Sequence, residues 1–178
     1  MNSILIIGAG AAGSVVAKKC AMNREVFEKI HLASRTLDKC IKVQKECASA
    51  ITVSQVDADD AAQVIRLIEE VRPDVVVNMA LPYQDLHIMD ACLATGVHYL
   101  DTANYEPKDE AKFSYTWQWA YQDRFRDKGI MAVLGCGFDP GVISIYCAYA
   151  QRNLLDGITT VDIRSEERRV GKECRSRW

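Results

Sequence analysis

Gly8-Ala9-Gly10-Ala11-Ala12-Gly13 stands between the aliphatic run Ile4–Ile7 and a helix-period segment from Ala11 to Met22. Glycines at this spacing, entered from a strand and left into a helix, suit the pyrophosphate of a dinucleotide. Gly8 permits the tight turn, Gly10 lets the backbone approach the anion, and Gly13 lets helix and strand pack closely. The helix N-terminus at Ala11 and Ala12 then faces the negative charge. The end of the second strand selects among dinucleotides. A site for NAD places Asp or Glu there to hold the ribose 2'-hydroxyl, whereas this chain has Ser34-Arg35-Thr36. Arg35 can pair with a 2'-phosphate and Ser34 or Thr36 can donate hydrogen bonds to it, so the expected cofactor is NADP(H). The missing carboxylate also argues against FAD and S-adenosylmethionine.

Two later loops complete the candidate site. Asn78-Met79-Ala80-Leu81-Pro82-Tyr83 follows a fourth strand, where a doubly wound sheet reverses its order and opens a crevice. Asn78, Ala80, Leu81 and Pro82 are therefore expected beside the nicotinamide end. Asp57, at the end of a third strand, is expected on the adenine side, although Asp57-Ala58-Asp59-Asp60 reads mainly as a helix cap. Gly135-Cys136-Gly137-Phe138-Asp139-Pro140-Gly141 follows a sixth strand, and its glycines let backbone come close to a ligand or another loop. Asp139 reads there as an N-cap and Pro140 as the first helical position. No residue is assigned as catalytic acid or base. The seven cysteines show no ligand-like spacing with His31, His87 or His98, so no metal site is expected.

These residues need a scaffold that brings strand ends together. Apolar segments alternate with helix-period segments throughout, which predicts an α/β, Rossmann-like, doubly wound and mostly parallel sheet with helices on both faces. Strands are expected at Ile4–Ile7, Ile30–Ala33, Ile51–Val56, Asp74–Asn78, Val97–Leu100 and Ile130–Leu134. Ala61, Val64, Ile65, Ile68 and Val71 share one helix face, and Pro73 ends that helix. Ile88, Met89, Cys92 and Leu93 point inward from the next, which Gly96 caps. A single aromatic helix is expected from about Asp109 to Lys128, with Trp117, Trp119 and Tyr121 as packing residues. His31 reads as core and His87 as a helix-surface residue.

Composition narrows the function classes. The chain has 178 residues, 49% hydrophobic and 26% charged, with a formal charge of -2. That length holds one domain of usual size, or one domain plus the stump of another. Without a basic face there is no electrostatic case for nucleic acid or an anionic membrane. No apolar run is long enough to span a bilayer, no leader is evident, and the odd set of cysteines reads as reduced packing residues of a cytoplasmic protein. Residues 1–157 are expected to form the cofactor-binding domain, and 158–164 the first strand of a substrate domain that is largely missing. Residues 165–178 (SEERRVGKECRSRW) read as a non-native tail.

The glycine loop, Ser34-Arg35, Val56-Asp57, Asn78 to Tyr83, His98-Tyr99-Leu100-Asp101-Thr102-Ala103 and Gly137 to Gly141 occur in order. With them the chain resembles the saccharopine dehydrogenase family from Ser3 to about Arg164. Leu134 to Gly141 and Tyr146-Cys147-Ala148-Tyr149-Ala150 are similar to its polyamine-forming branch. The resemblance implies an NADPH-dependent reductive condensation of L-aspartate semialdehyde with a diamine, 1,3-diaminopropane or putrescine, to carboxynorspermidine or carboxyspermidine. It also implies a homodimer for the full-length form. The alternatives are a saccharopine reductase-like enzyme and a non-catalytic NADP-binding sensor. A short-chain dehydrogenase is disfavoured, because no Tyr-x-x-x-Lys follows the fourth strand.

Overall fold

In the computed structural model, residues 2–110, 112, 114–138 and 140–162 are described. Six parallel strands form one sheet: β1 (Ser3–Ile7), β2 (Lys29–Ser34), β3 (Thr52–Gln55), β4 (Val75–Asn78), β5 (His98–Asp101) and β6 (Ala132–Val133). Their order across the sheet is β3-β2-β1-β4-β5-β6. Strand order therefore reverses between β1 and β4, and the crevice opens past their carboxyl ends. The helices are α1 (Ala11–Met22), α2 (Leu37–Glu46), α3 (Ala61–Val71), α4 (Asp85–Thr95), α5 (Thr116–Trp119), α6 (Gln122–Asp127) and α7 (Val142–Asn153).

β1 is buried along its whole length and its side chains alternate between two cores. Ile4 and Ile6 join Ile30, Leu32, Ala17, Cys20, Cys40 and Val43 on the face covered by α1 and α2. Leu5 and Ile7 join Val64, Ile68, Ile88, Met89 and Tyr99 on the other. Each fully buried Ile or Leu contributes roughly 1.5–3 kcal/mol relative to exposure, so a strand buried on both faces anchors the sheet. Asp60 caps α3, its Oδ1 accepting from the N–H groups of Ala62 at 2.9 Å and Gln63 at 3.2 Å. Arg72 leaves the helix with φ 51° just before Pro73, and Gly96 ends α4 with φ 73°.

Several expectations are corrected. The alternation of segments implies a helix between the second and third strands without bounding it, and α2 fills that place. Only 116–119 and 122–127 are helical among the described residues of 109–128, because Gln118 is turned into the protein by hydrogen bonds that an amphipathic helix would not make. Trp119 is 62% exposed, contrary to its packing assignment, whereas Trp117 meets Tyr105 edge-on with centroids 5.5 Å apart. His31 is half-buried rather than core, its ring nitrogens each 2.8 Å from the hydroxyls of Thr52 and Ser54 on the neighbouring strand. β6 is shorter than expected. α7 starts at Val142 after Gly141, so Pro140 is not its first residue. Asp139 lies outside the described residues, as do Ile163 and Arg164, and residues 158–162 form no strand. Cys136 is exposed, unlike the buried Cys20, Cys40 and Cys92, and Cys174 is not among the described residues.

Candidate functional site

Backbone hydrogen bonds fix the glycine loop before any side chain is considered. Gly8 N–H donates to the Ala33 carbonyl at 2.8 Å, and Met79 N–H to the Ile7 carbonyl at 2.7 Å, so β2, β1 and β4 deliver their ends to one place. Gly8 has φ 116°, a conformation costly for a residue with Cβ, and a Cβ there would strike the Met79 carbonyl. A Cβ on Gly13 would strike the Gly8 carbonyl, which is the close strand-helix approach expected of this glycine. Gly10 differs. A Cβ on it would meet no protein atom within 4 Å. The space in front of Gly10 is therefore open at the N-terminus of α1, which has no side-chain cap and no acidic residue in its first turn. Exposed Ala11 and Ala12 bring first-turn N–H groups to that opening, which suits an anion.

A crevice of about 270 Å³ runs from this loop across the end of β2. Gly8, Gly10, Ser34, Arg35 and Thr36 line it, with Ala80 and Leu81 on the side of β4. Arg35 is exposed, and the Gln55 amide donates to its carbonyl at 2.9 Å, so the residue sits on an anchored turn. Lys39, in the first turn of α2, lines the same crevice. Among the described residues neither cation is held in an ion pair. Two uncompensated cations beside a strand end that lacks a carboxylate fit the 2'-phosphate of NADP(H), with Arg35 able to bind it bidentately. Sequence reasoning missed Lys39 because it left α2 without bounds. Ser34 is less available than expected, since its hydroxyl donates to the Thr36 carbonyl at 3.0 Å.

The other expected residues fall outside the crevice lining. Val56 and Ala58 line it, but Asp57 between them does not, and the Asp57 carboxylate accepts instead from the Asp59 N–H at 3.1 Å. Pro82 opens a 3-10 turn over 82–84 behind Leu81. Asn78 is 3% exposed and its side chain is turned inward. Its Oδ1 accepts from Ala80 N–H at 2.9 Å, and its Nδ2 donates to Asp85 at 2.8 Å and to the Tyr99 hydroxyl at 3.1 Å. Asn78 therefore shapes the crevice through the backbone of the turn.

That inward side chain leads to a buried polar cluster beneath the crevice. Asp85 and Asp101 are 2% and 1% exposed. Burial, and then the charge of Asp101, pushes the Asp85 carboxyl up to about 9, while burial raises Asp101 to about 6 against hydrogen bonds from Gly135, Tyr99 and Gln118 that favour its ionised form. At neutral pH the pair thus keeps one proton, and the hydrogen bonds that Asp101 accepts from Gly135 and Gln118 favour the charge on Asp101.

Comparison with known proteins agrees with this geometry. Residues 4–133 match the family model described as the saccharopine dehydrogenase NADP binding domain. The chain is 52% identical over 164 residues to the carboxyaminopropylagmatine dehydrogenase of Synechocystis sp., covering 92% of this chain and 41% of that protein. It is 41% identical over 174 residues to the carboxynorspermidine synthase of Vibrio cholerae, covering 90% of this chain and 42% of the relative. The chain thus spans about two fifths of the length of the curated relatives it matches. Among solved structures, the apo saccharopine dehydrogenase (L-Glu forming) of Saccharomyces cerevisiae superposes with a TM-score of 0.72 at 17% identity, over 86% of this chain and 31% of that one, which is a likeness of fold. With most of its length matched to that domain, the chain belongs to the saccharopine dehydrogenase family and carries the family's NADP-binding domain.

Proposed function

We propose that this chain is the cofactor-binding part of an NADPH-dependent enzyme of polyamine synthesis, which joins L-aspartate semialdehyde to an amine through an imine. The observation that carries the reading is the crevice in which open space at Gly10 and the uncapped start of α1 lie in line with Arg35 and Lys39. Amine and aldehyde lose water to form a C=N bond, and bound NADPH supplies the hydride that reduces its carbon, a proton going to nitrogen. The chain's own residues act by positioning. Arg35 and Lys39 hold the phosphate end, the glycine loop holds the pyrophosphate, and the turn at Ala80 and Leu81 borders the reactive end.

The amine is one with a second cationic end. The likeness to carboxynorspermidine synthases supports 1,3-diaminopropane or putrescine. A second reading, agmatine, is favoured by the 52% identity to a carboxyaminopropylagmatine dehydrogenase, whose name describes a carboxyaminopropyl unit attached to agmatine. The substrate walls are assigned to a further domain. In support, Trp119 of α5, Phe138 after β6 and Ile145, Tyr146 and Tyr149 of α7 are 59–67% exposed, large apolar side chains suited to being covered.

Titration of this chain with NADPH and NADH tests the cofactor half. NADP(H) is preferred by on the order of ten- to a hundredfold, and Arg35→Ala loses most of that preference while Lys39→Ala loses a smaller share. Equal affinities in the unsubstituted chain overturn the assignment. Loss of nicotinamide absorbance with aspartate semialdehyde and each of the three amines tests the rest. This chain binds NADPH without turnover, and a form extended to the length of the relatives turns over, since the proximity contribution of the substrate walls reaches several kcal/mol. Binding without turnover in the extended form favours the sensor reading, and full turnover by the short chain refutes the division between domains.

A further inference from the structure

Parallel register places Asn78 of β4 directly beside Asp101 of β5, so the residue from which one loop leaves the sheet on the reactive side stands next to the residue that holds another, which leaves β6. The first is the turn Met79–Leu81 and the second is the segment Gly135–Gly141 after β6. Asp101 holds the second at its root. Its Oδ1 accepts from Gly135 N–H at 2.6 Å, its backbone carbonyl accepts from Cys136 N–H at 2.8 Å, and its Oδ2 accepts from the Gln118 amide at 2.6 Å. The same amide reaches Asp85 at 3.4 Å, and its orientation is fixed because Gln118 Oε1 accepts from Tyr105 N–H at 2.9 Å. Asp85 in turn takes the Asn78 amide, whose oxygen holds Ala80 N–H. An unbroken chain of hydrogen bonds therefore joins Gly135 to Ala80 through four side chains, all of them at most 3% exposed.

We propose that Asp101 is a positioning residue: through Gln118, Asp85 and Asn78 its carboxylate locks the loop after β6 to the turn after β4, so that both walls of the reactive end are set together. The proposal deepens the functional reading above and rests on it for the meaning of that end. The geometry demands such an anchor. Gly135 has φ 65°, and a Cβ on Gly137 would strike the Thr102 carbonyl, so the segment lies against β5 in a backbone conformation that its own side chains cannot stabilise. A charge-assisted bond from a buried carboxylate is the strong contact at its root. The titratable groups facing Asp101 are Asp85 of α4, Tyr99 of β5, Tyr115 ahead of α5 and Cys136 of the segment itself. All four are acids, so the ionised Asp101 is stabilised by hydrogen bonds.

The test uses this chain with two probes, NADPH and adenosine 2',5'-bisphosphate, the second carrying only the phosphate end. Asp101→Asn weakens NADPH about fivefold, the order of one disturbed hydrogen bond, and leaves the bisphosphate within about twofold. A merely structural role would weaken both alike. Because that variant could fail to fold, the unsubstituted chain supplies a second arm: the amide resonances of Gly135 and Ala80 titrate with one shared midpoint between about pH 5 and 7, and that of Gly10 does not. Equal weakening of both probes, or Gly135 and Ala80 resonances that do not titrate together, overturns the positioning role. If the unsubstituted chain binds neither probe, the reading of the crevice fails instead, and the coupling of the loops is decided by the two resonances alone.

Discussion

Gly10→Val leaves the stability of the chain almost unchanged and removes its NADPH binding, whereas Gly13→Val destabilises the fold strongly. The two glycines stand in one motif but do different jobs. Gly10 has φ -76° and ψ -168°, which any residue adopts, and a side chain there enters space that holds no protein atom within 4 Å. The protein loses only the small preference for Gly over Val at a helix N-cap, so the melting temperature moves by no more than about 3 °C. That space is where the pyrophosphate must approach the start of α1, and the loss in affinity is on the order of a hundredfold or more, equivalent to about 3 kcal/mol. At Gly13 the added atoms collide with the backbone carbonyl of Gly8, a residue tied to β2 by its own N–H bond to Ala33. The cost is about 4 kcal/mol or more, a fall in melting temperature of roughly 10 °C or beyond. Calorimetric titration with thermal melts on both variants checks the pair. Normal NADPH binding by a folded Gly10→Val chain removes the cofactor from this crevice.

The contrast between these glycines marks what could be read from sequence. The spacing of Gly8, Gly10 and Gly13 encodes backbone geometry directly, and the strand before it and the helix after it lie in the same stretch of chain, so the motif and α1 were legible to the residue. Arg35 was legible for the same reason, as the residue just past β2. α2 was not, because Leu37, Cys40, Ile41 and Val43 are the only apolar residues in a segment whose other six side chains are charged or polar, and with it Lys39 was lost from the site. The segment 109–128 failed in the opposite way. Its aromatic residues suggested one packed helix, but Gln118 is drawn to Asp101 and Tyr105, contacts that exist only once β5 stands beside β4. Asp85 and Asp101 could not have been paired from spacing either, since parallel register and not sequence proximity makes Asn78 and Asp101 neighbours.

That same burial gives the chain an unusual response to pH. A carboxyl raised to about 9 in the fold, from an ordinary value near 4 in the unfolded chain, binds its proton more tightly when folded. Its contribution to stability is therefore fully present below about pH 4 and is lost as pH rises towards about 9, the reverse of an ion-paired aspartate. Between about pH 5 and 8 the loss from Asp85 approaches 1.4 kcal/mol per pH unit, the limit for one proton. Asp101 adds a smaller loss with the same sign, confined to the window between about 4 and 6. Asp85→Asn removes the titrating group while keeping an oxygen for the Asn78 amide, and sacrifices only the long 3.4 Å contact with Gln118. The stability of the variant relative to the unsubstituted chain should therefore climb by about 1 kcal/mol or more per unit from pH 5 to pH 8, with the variant the more stable of the two at the alkaline end. Urea unfolding at several pH values measures this difference, in which carboxylates not coupled to Asp85 cancel. A difference that stays flat across the range would show that Asp85 is ionised in the fold, and the proton of the pair, if one is kept, would then rest on Asp101.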